Sequence, residues 1–123
     1  MIFCRGFLIF VSLHIFIYNM NRPESIEKIR NLLLKLDPTA EVIVYGSEAR
    51  GDARRDSDID LLILVNKKKL TYQDITYLTY PLYDLEITDG ITVSPLVYTR
   101  DSWEKRPFLT PFYLNVINEG VRL

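Results

Sequence analysis

The run Asp58-Ile59-Asp60-Leu61-Leu62-Ile63-Leu64-Val65 constrains this chain more than any other stretch. Its last five residues read as a buried strand. With Asp58 to Asp60 beginning that strand, alternation places both carboxylates on one face, roughly 6–7 Å apart along the backbone. Acids held that close repel each other, so the arrangement suggests a shared cation. Hard oxygen ligands with few protein partners suit Mg²⁺, which completes its octahedron with water and substrate phosphates. Upstream, Glu41-Val42-Ile43-Val44-Tyr45 reads as a second strand, ending at Gly46-Ser47. A glycine there lets backbone approach a ligand closely, and the serine hydroxyl and backbone N–H groups can bind phosphate oxygens. Strand, Gly-Ser, loop and a carboxylate pair on the next strand describe a nucleotide–metal site.

A chain of 123 residues, 48% hydrophobic and 25% charged, has room for one ordinary globular core. Its formal net charge of −1 gives no global field toward nucleic acid, and no nucleic-acid partner is predicted. The basic runs are local: Arg50 with Arg54-Arg55 flanks the candidate site, and Lys67-Lys68-Lys69 reads as a solvated strand end. A single cysteine, Cys4, excludes an internal disulfide and a cysteine-rich zinc site. The single histidine, His14, lies in an apolar run, away from any acid/base or metal constellation.

Along the chain, Pro23-Glu24-Ser25 opens a helix whose Ile26, Ile29, Leu33 and Leu36 form one stripe, and Asp37-Pro38 stops it. Strands follow at about 41–46 and 58–65, separated by a polar stretch with a short helix after Ser47. Leu70 to Leu85 reads as a helix with Ile75, Leu78, Leu82 and Leu85 on one face. Pro81 inside it costs about 3 kcal/mol, which predicts a kink or two helices meeting near Tyr80. Tyr72, Tyr77, Tyr80 and Tyr83 crowd the remaining surface, as sheet-edge cover or as a partner-binding surface. Residues 91–98 read as a third strand, at an edge because of Pro95. A short segment around Trp103 and a helix from Thr110 to Glu119 complete an α+β reading, a mixed sheet flanked by helices.

The segment Tyr45 to Val65 resembles the polymerase-β-type nucleotidyltransferases, above all the minimal bacterial ones. Gly46, Ser47, Ala49, Arg50, Gly51, Ser57, Asp58, Ile59 and Asp60 all match that family's pattern. The resemblance implies a polymerase-β-like fold over residues 20–123 and transfer of a nucleoside monophosphate, AMP from ATP, to a hydroxyl. It assigns two catalytic metal ions (Mg²⁺, with Mn²⁺ as substitute) to Asp58 and Asp60, and the nucleotide's phosphates to Gly46 and Ser47. Arg50 would meet the charge developing on pyrophosphate, or else form a salt bridge to Asp52 or to the aspartate pair. The resemblance also implies a cytoplasmic setting and, as in toxin–antitoxin pairs, a helical HEPN-type protein as partner and acceptor. A non-enzymatic alternative is a weakened nucleotide-binding domain that neutralises its partner by contact alone.

One departure stands out. Fuller sites of this kind resemble each other in a third carboxylate on the following strand, and the strand at 91–98 has none. Ser94 falls at its place. Glu86 and Asp89 precede the strand and would need a shifted register. The apolar stretch at 7–18 also stands apart. Residues 1–19 read as an over-extended start ahead of Met20, as a membrane anchor, or as an added element packed on the domain. The complete domain opened by Met20-Asn21-Arg22-Pro23 favours the first.

Overall fold

The structure is a computed structural model that describes residues 20–106 and 108–123. The extension 1–19, with its three readings, lies outside the described residues. Among them, no helix is long and apolar enough to cross a membrane.

Helix α1 (Pro23–Leu36) starts on its proline, carries Glu24 in the first turn and Lys35 in the last, and buries Ile26, Ile29 and Leu33. It stops where Asp37 turns extended ahead of Pro38. Strand β1 (Glu41–Tyr45) leads into the short helix α2 (Gly46–Arg50), and β2 (Ile59–Val65) follows. Helix α3 (Tyr72–Asp89) crosses over to β3 (Val93–Thr99). Helices α4 (Arg100–Glu104) and α5 (Pro111–Glu119) precede β4 (Val121–Arg122).

The sheet order is β3-β2-β1-β4, with β2 and β3 parallel and the other neighbours antiparallel. The sheet is therefore mixed, as the α+β reading requires. β2 is an inner strand covered on both faces, which is why its apolar run is unbroken. One face packs Val42, Val44, Ile59, Leu61, Ile63 and Val93 against α1 and the Leu78 and Leu82 side chains of α3. The other packs Ile43, Leu62 and Leu64 against Trp103 and Val116. Asp60 shares this second face, since alternation sets it beside Leu62 rather than Leu61.

Beyond end shifts of one or two residues, such as a third strand at Val93–Thr99 rather than 91–98, two elements differ from the sequence expectation. Helix α3 passes through Pro81 without a break and runs four residues beyond Leu85. Burying Leu78 and Leu82, at about 1.5–3 kcal/mol each, offsets the roughly 3 kcal/mol that the proline costs. The carbonyl released by the missing N–H belongs to Tyr77, on an exposed residue where water can serve it. A capping box holds the start, with Thr71 and Asp74 exchanging side-chain and backbone bonds, and Gly90 closes the end in the left-handed region. The second difference is β4, whose two residues are too few to leave a pattern in sequence. The turn into β4 needs Gly120, because a Cβ there would collide with the Val116 carbonyl oxygen.

Candidate active site

Register brings the sequence-predicted residues to one end of the sheet. Tyr45, the last residue of β1, pairs with Asp60, and Asp60 lies level with Ser94 across the parallel ladder. Asp58 stands just ahead of β2, delivered by a turn in which the Arg54 N–H donates to Ser57 Oγ (2.9 Å) and the Ser57 N–H to the Arg54 carbonyl (3.0 Å). The ladder takes hold immediately afterwards, where the Ile59 N–H donates to the Thr92 carbonyl at 2.9 Å. Ser94 Oγ donates to Asp58 Oδ2 at 3.1 Å. The serine level with Asp60 thus touches Asp58 directly.

Gly46 lets the turn and the carboxylate coexist. Its φ of +72° belongs to the left-handed region that favours glycine, and a Cβ would lie 2.6 Å from Asp60 Oδ2. The Asp60 carboxylate therefore rests against the start of α2. Among the described residues no side chain caps that helix, which leaves the N–H groups of its first turn beside half-buried Ser47.

The electrostatics suit a cation. Burial first, and then the neighbouring Asp58 charge, push the Asp60 carboxyl above its ordinary value, while Arg50 acts in the opposite sense. Two negative groups with that little compensation, in an all-oxygen donor set, fit a hard divalent ion such as Mg²⁺. Among the described residues no third His, Cys, Asp or Glu completes a metal-holding group.

Arg50 is exposed, with Nη1 donating to Glu119 Oε2 at 2.8 Å and Nε to Asp52 Oδ2 at 3.3 Å. The Glu119 bond and then the Asp52 bond raise its pKa further above the usual guanidinium value. Asp52 is the partner its sequence neighbourhood predicts, and Glu119 is not. Arg54 and Arg55 are exposed and form no ion pair among the described residues.

Sequence reasoning missed two neighbours. Tyr45 stands opposite Asp60 in the ladder, on the aromatic side. Burial, then the Asp60 charge and Tyr98, push its phenol up to about 12. Its ring meets Phe112 edge-on at 5.4 Å, and Phe112 continues to Trp103 at 5.9 Å. Alternation along β1 was the available signal, since Tyr45 falls on the face of Ile43. The other is Glu48, wholly buried inside α2. It accepts from Arg22 through the backbone N–H (2.9 Å), Nε (3.0 Å) and Nη2 (3.0 Å). Nothing local in the sequence marks that pair, whose members are 26 residues apart.

Comparison with known proteins gives a consistent result. Residues 26–108 match the family described as the nucleotidyltransferase domain. "Putative protein adenylyltransferase MJ0141" of Methanocaldococcus jannaschii is 33% identical over 87 residues, 71% of this chain and 81% of the relative. MJ0604 of the same organism, which carries the same name, is 28% identical over 103 residues, 82% of this chain and 96% of the relative. Among solved structures, a toxin-antitoxin crystallised with AMP-PNP superposes with a TM-score of 0.55 at 23% identity, covering 78% of this chain and 69% of the other. A mutant of the toxin-antitoxin MntA-HpeT gives 0.54 at 21% identity with the same coverage. At these identities the structural likeness is one of fold.

Proposed function

Because the chain belongs to the nucleotidyltransferase domain family, we propose that it transfers AMP from ATP to a hydroxyl of a partner protein, in the cytoplasm and with a divalent metal ion. The observation that carries this reading is the Asp60 carboxylate seated against Gly46, with Asp58 beside it and Ser94 bridging to the next strand. In this reading Asp58 and Asp60 hold Mg²⁺, which when bound neutralises phosphate charge around the α-phosphorus.

Each residue then has a separate task. The free amides at the start of α2 and the Ser47 hydroxyl receive the β- and γ-phosphates. Arg50 uses Nε and Nη1 on Asp52 and Glu119, which leaves donors on Nη2 for the leaving pyrophosphate. The acceptor oxygen attacks the α-phosphorus in line, the bond to the β-phosphate oxygen breaks, and pyrophosphate departs with that electron pair. The hydroxyl proton passes to solvent. A protein acceptor is supported by the name that the two archaeal relatives share. A helical HEPN-type partner is the corresponding proposal for the other chain, in keeping with toxin-antitoxin assemblies that share this fold.

The missing third acid favours one competing reading, a domain that binds nucleotide and partner without turnover. Calorimetric titration of α,β-methylene-ATP with Mg²⁺ tests the site, with Asp58→Asn/Asp60→Asn as the control. Binding lost in the double variant, together with transfer of a labelled α-phosphate to the partner, supports the enzyme. Binding without label transfer supports the second reading. No binding by the wild-type chain sinks both.

A further inference from the structure

The strand beside the aspartate pair distinguishes this site from one built for two metal ions. Two divalent cations in such a centre lie about 3.5–4 Å apart, and each needs anionic oxygen from the protein or substrate. Among the described residues the protein side offers only Asp58 and Asp60. On β3 the position level with Asp60 is Ser94, and its hydroxyl is already committed as a donor to Asp58 Oδ2. A neutral serine oxygen is a poor exchange for the water of a tightly hydrated ion such as Mg²⁺.

No other acid can take the place. Two residues further along the same face of β3 stands Leu96. Glu86 is exposed on α3, and Asp89 is tied to Lys28 at 2.9 Å. Among the described residues no third ligating side chain joins the pair.

We infer that this site holds a single divalent ion with its nucleotide, on Asp58 and Asp60, and that having serine rather than a carboxylate at position 94 is what withholds the second. The inference rests on the proposed nucleotide–metal site and adds its stoichiometry. One ion matches the charge of the two carboxylates and leaves the triphosphate to be met by the α2 amides and Arg50. A carboxylate at position 94 would restore the charge that a second ion needs.

The test is Mn²⁺ binding to the full chain in the presence of α,β-methylene-ATP, with bound ions counted by equilibrium dialysis and examined by electron paramagnetic resonance. Wild type and Ser94→Ala should each bind one ion with the spectrum of an isolated Mn²⁺. Ser94→Asp should bind a second and show the spin coupling of two nearby ions. A coupled pair in the wild type overturns the inference and leaves the nucleotide site intact. If Ser94→Asp melts like the wild type but stays at one ion, Ser94 does not control the count and the inference falls. Should Ser94→Asp fail to fold, the wild-type and Ser94→Ala counts still decide between one ion and two. No bound Mn²⁺ in any of the three removes the metal site itself, and the proposed function with it.

Discussion

Glu48 lies within α2 and Asp60 against its start, yet the fold treats their charges in opposite ways. Glu48 is wholly buried and answered by three donors of Arg22, two from one guanidinium and one from the backbone. Asp60 is only partly buried, is pressed beside Asp58, and has the distant influence of Arg50 as its main relief. The first arrangement spends its charge inside the protein and pins the segment before α1 to the helix that starts the site. The second keeps charge in reserve for something that arrives from outside. A buried acid with all its partners present reads as architecture, and a crowded one without them reads as a site.

The sharpest way to break this contrast is at the architectural end. Glu48→Ala leaves the Arg22 guanidinium, only 16% exposed, without its carboxylate partner and with only the Arg55 carbonyl as acceptor. It should lower stability by about 3–5 kcal/mol, as removing one partner of a buried ion pair does. Urea unfolding measures this, and the double replacement Arg22→Met/Glu48→Leu should recover most of the loss. A Glu48→Ala chain as stable as wild type would mean that the pair does not anchor α2.

Asp60→Asn should act in the opposite sense. The folded-state pKa of Asp60 is raised, so the folded protein binds more protons than the unfolded chain as pH climbs above the ordinary carboxylate range. Its contribution to stability therefore falls as pH rises from about 4 through the raised value, and the penalty is complete above it. Metal-free wild type should show that decline between acid and neutral pH, and Asp60→Asn should lack it. Added Mg²⁺ should stabilise the wild type and leave the variant unchanged. Unfolding curves at several pH values, with and without Mg²⁺, separate the two proteins; parallel curves would refute the assignment of strain to Asp60.

The smallest effect is expected at Thr71, remote from both clusters. Thr71→Ala removes half of the capping box on α3 and should cost about 1 kcal/mol. Nucleotide binding should not change. A loss of binding here would show that α3 and the site are coupled more tightly than their separation suggests.

What the sequence revealed follows from the range of the forces involved. α1 and β2 were legible because their start, stop and burial are written within a few residues: Pro23, Asp37-Pro38, and the run from Leu61 to Val65. The placing of Gly46, Ser47, Asp58 and Asp60 at one end of the sheet came from the same local grammar, helped by the family resemblance. Helix α3 ran through Pro81 because tertiary burial of Leu78 and Leu82 outweighed a local penalty that sequence alone could see. Glu119 on Arg50 and Arg22 on Glu48 were invisible for a related reason. Each joins residues far apart in the chain, and only the folded sheet brings them within a bond's length.

The aromatic face gives the molecule an optical probe of its own. Trp103 is the one tryptophan of the chain, and it is 7% exposed. The Arg106 guanidinium lies 4.3 Å above its ring, and Phe112 stands between it and Tyr45, the residue that pairs with Asp60. Emission from this single indole therefore reports on the series of edge-on ring contacts that ends at Tyr45, the ladder partner of Asp60. A shift in its colour or intensity on adding nucleotide would be read without a dye or label, from a core indole linked to Tyr45 through Phe112.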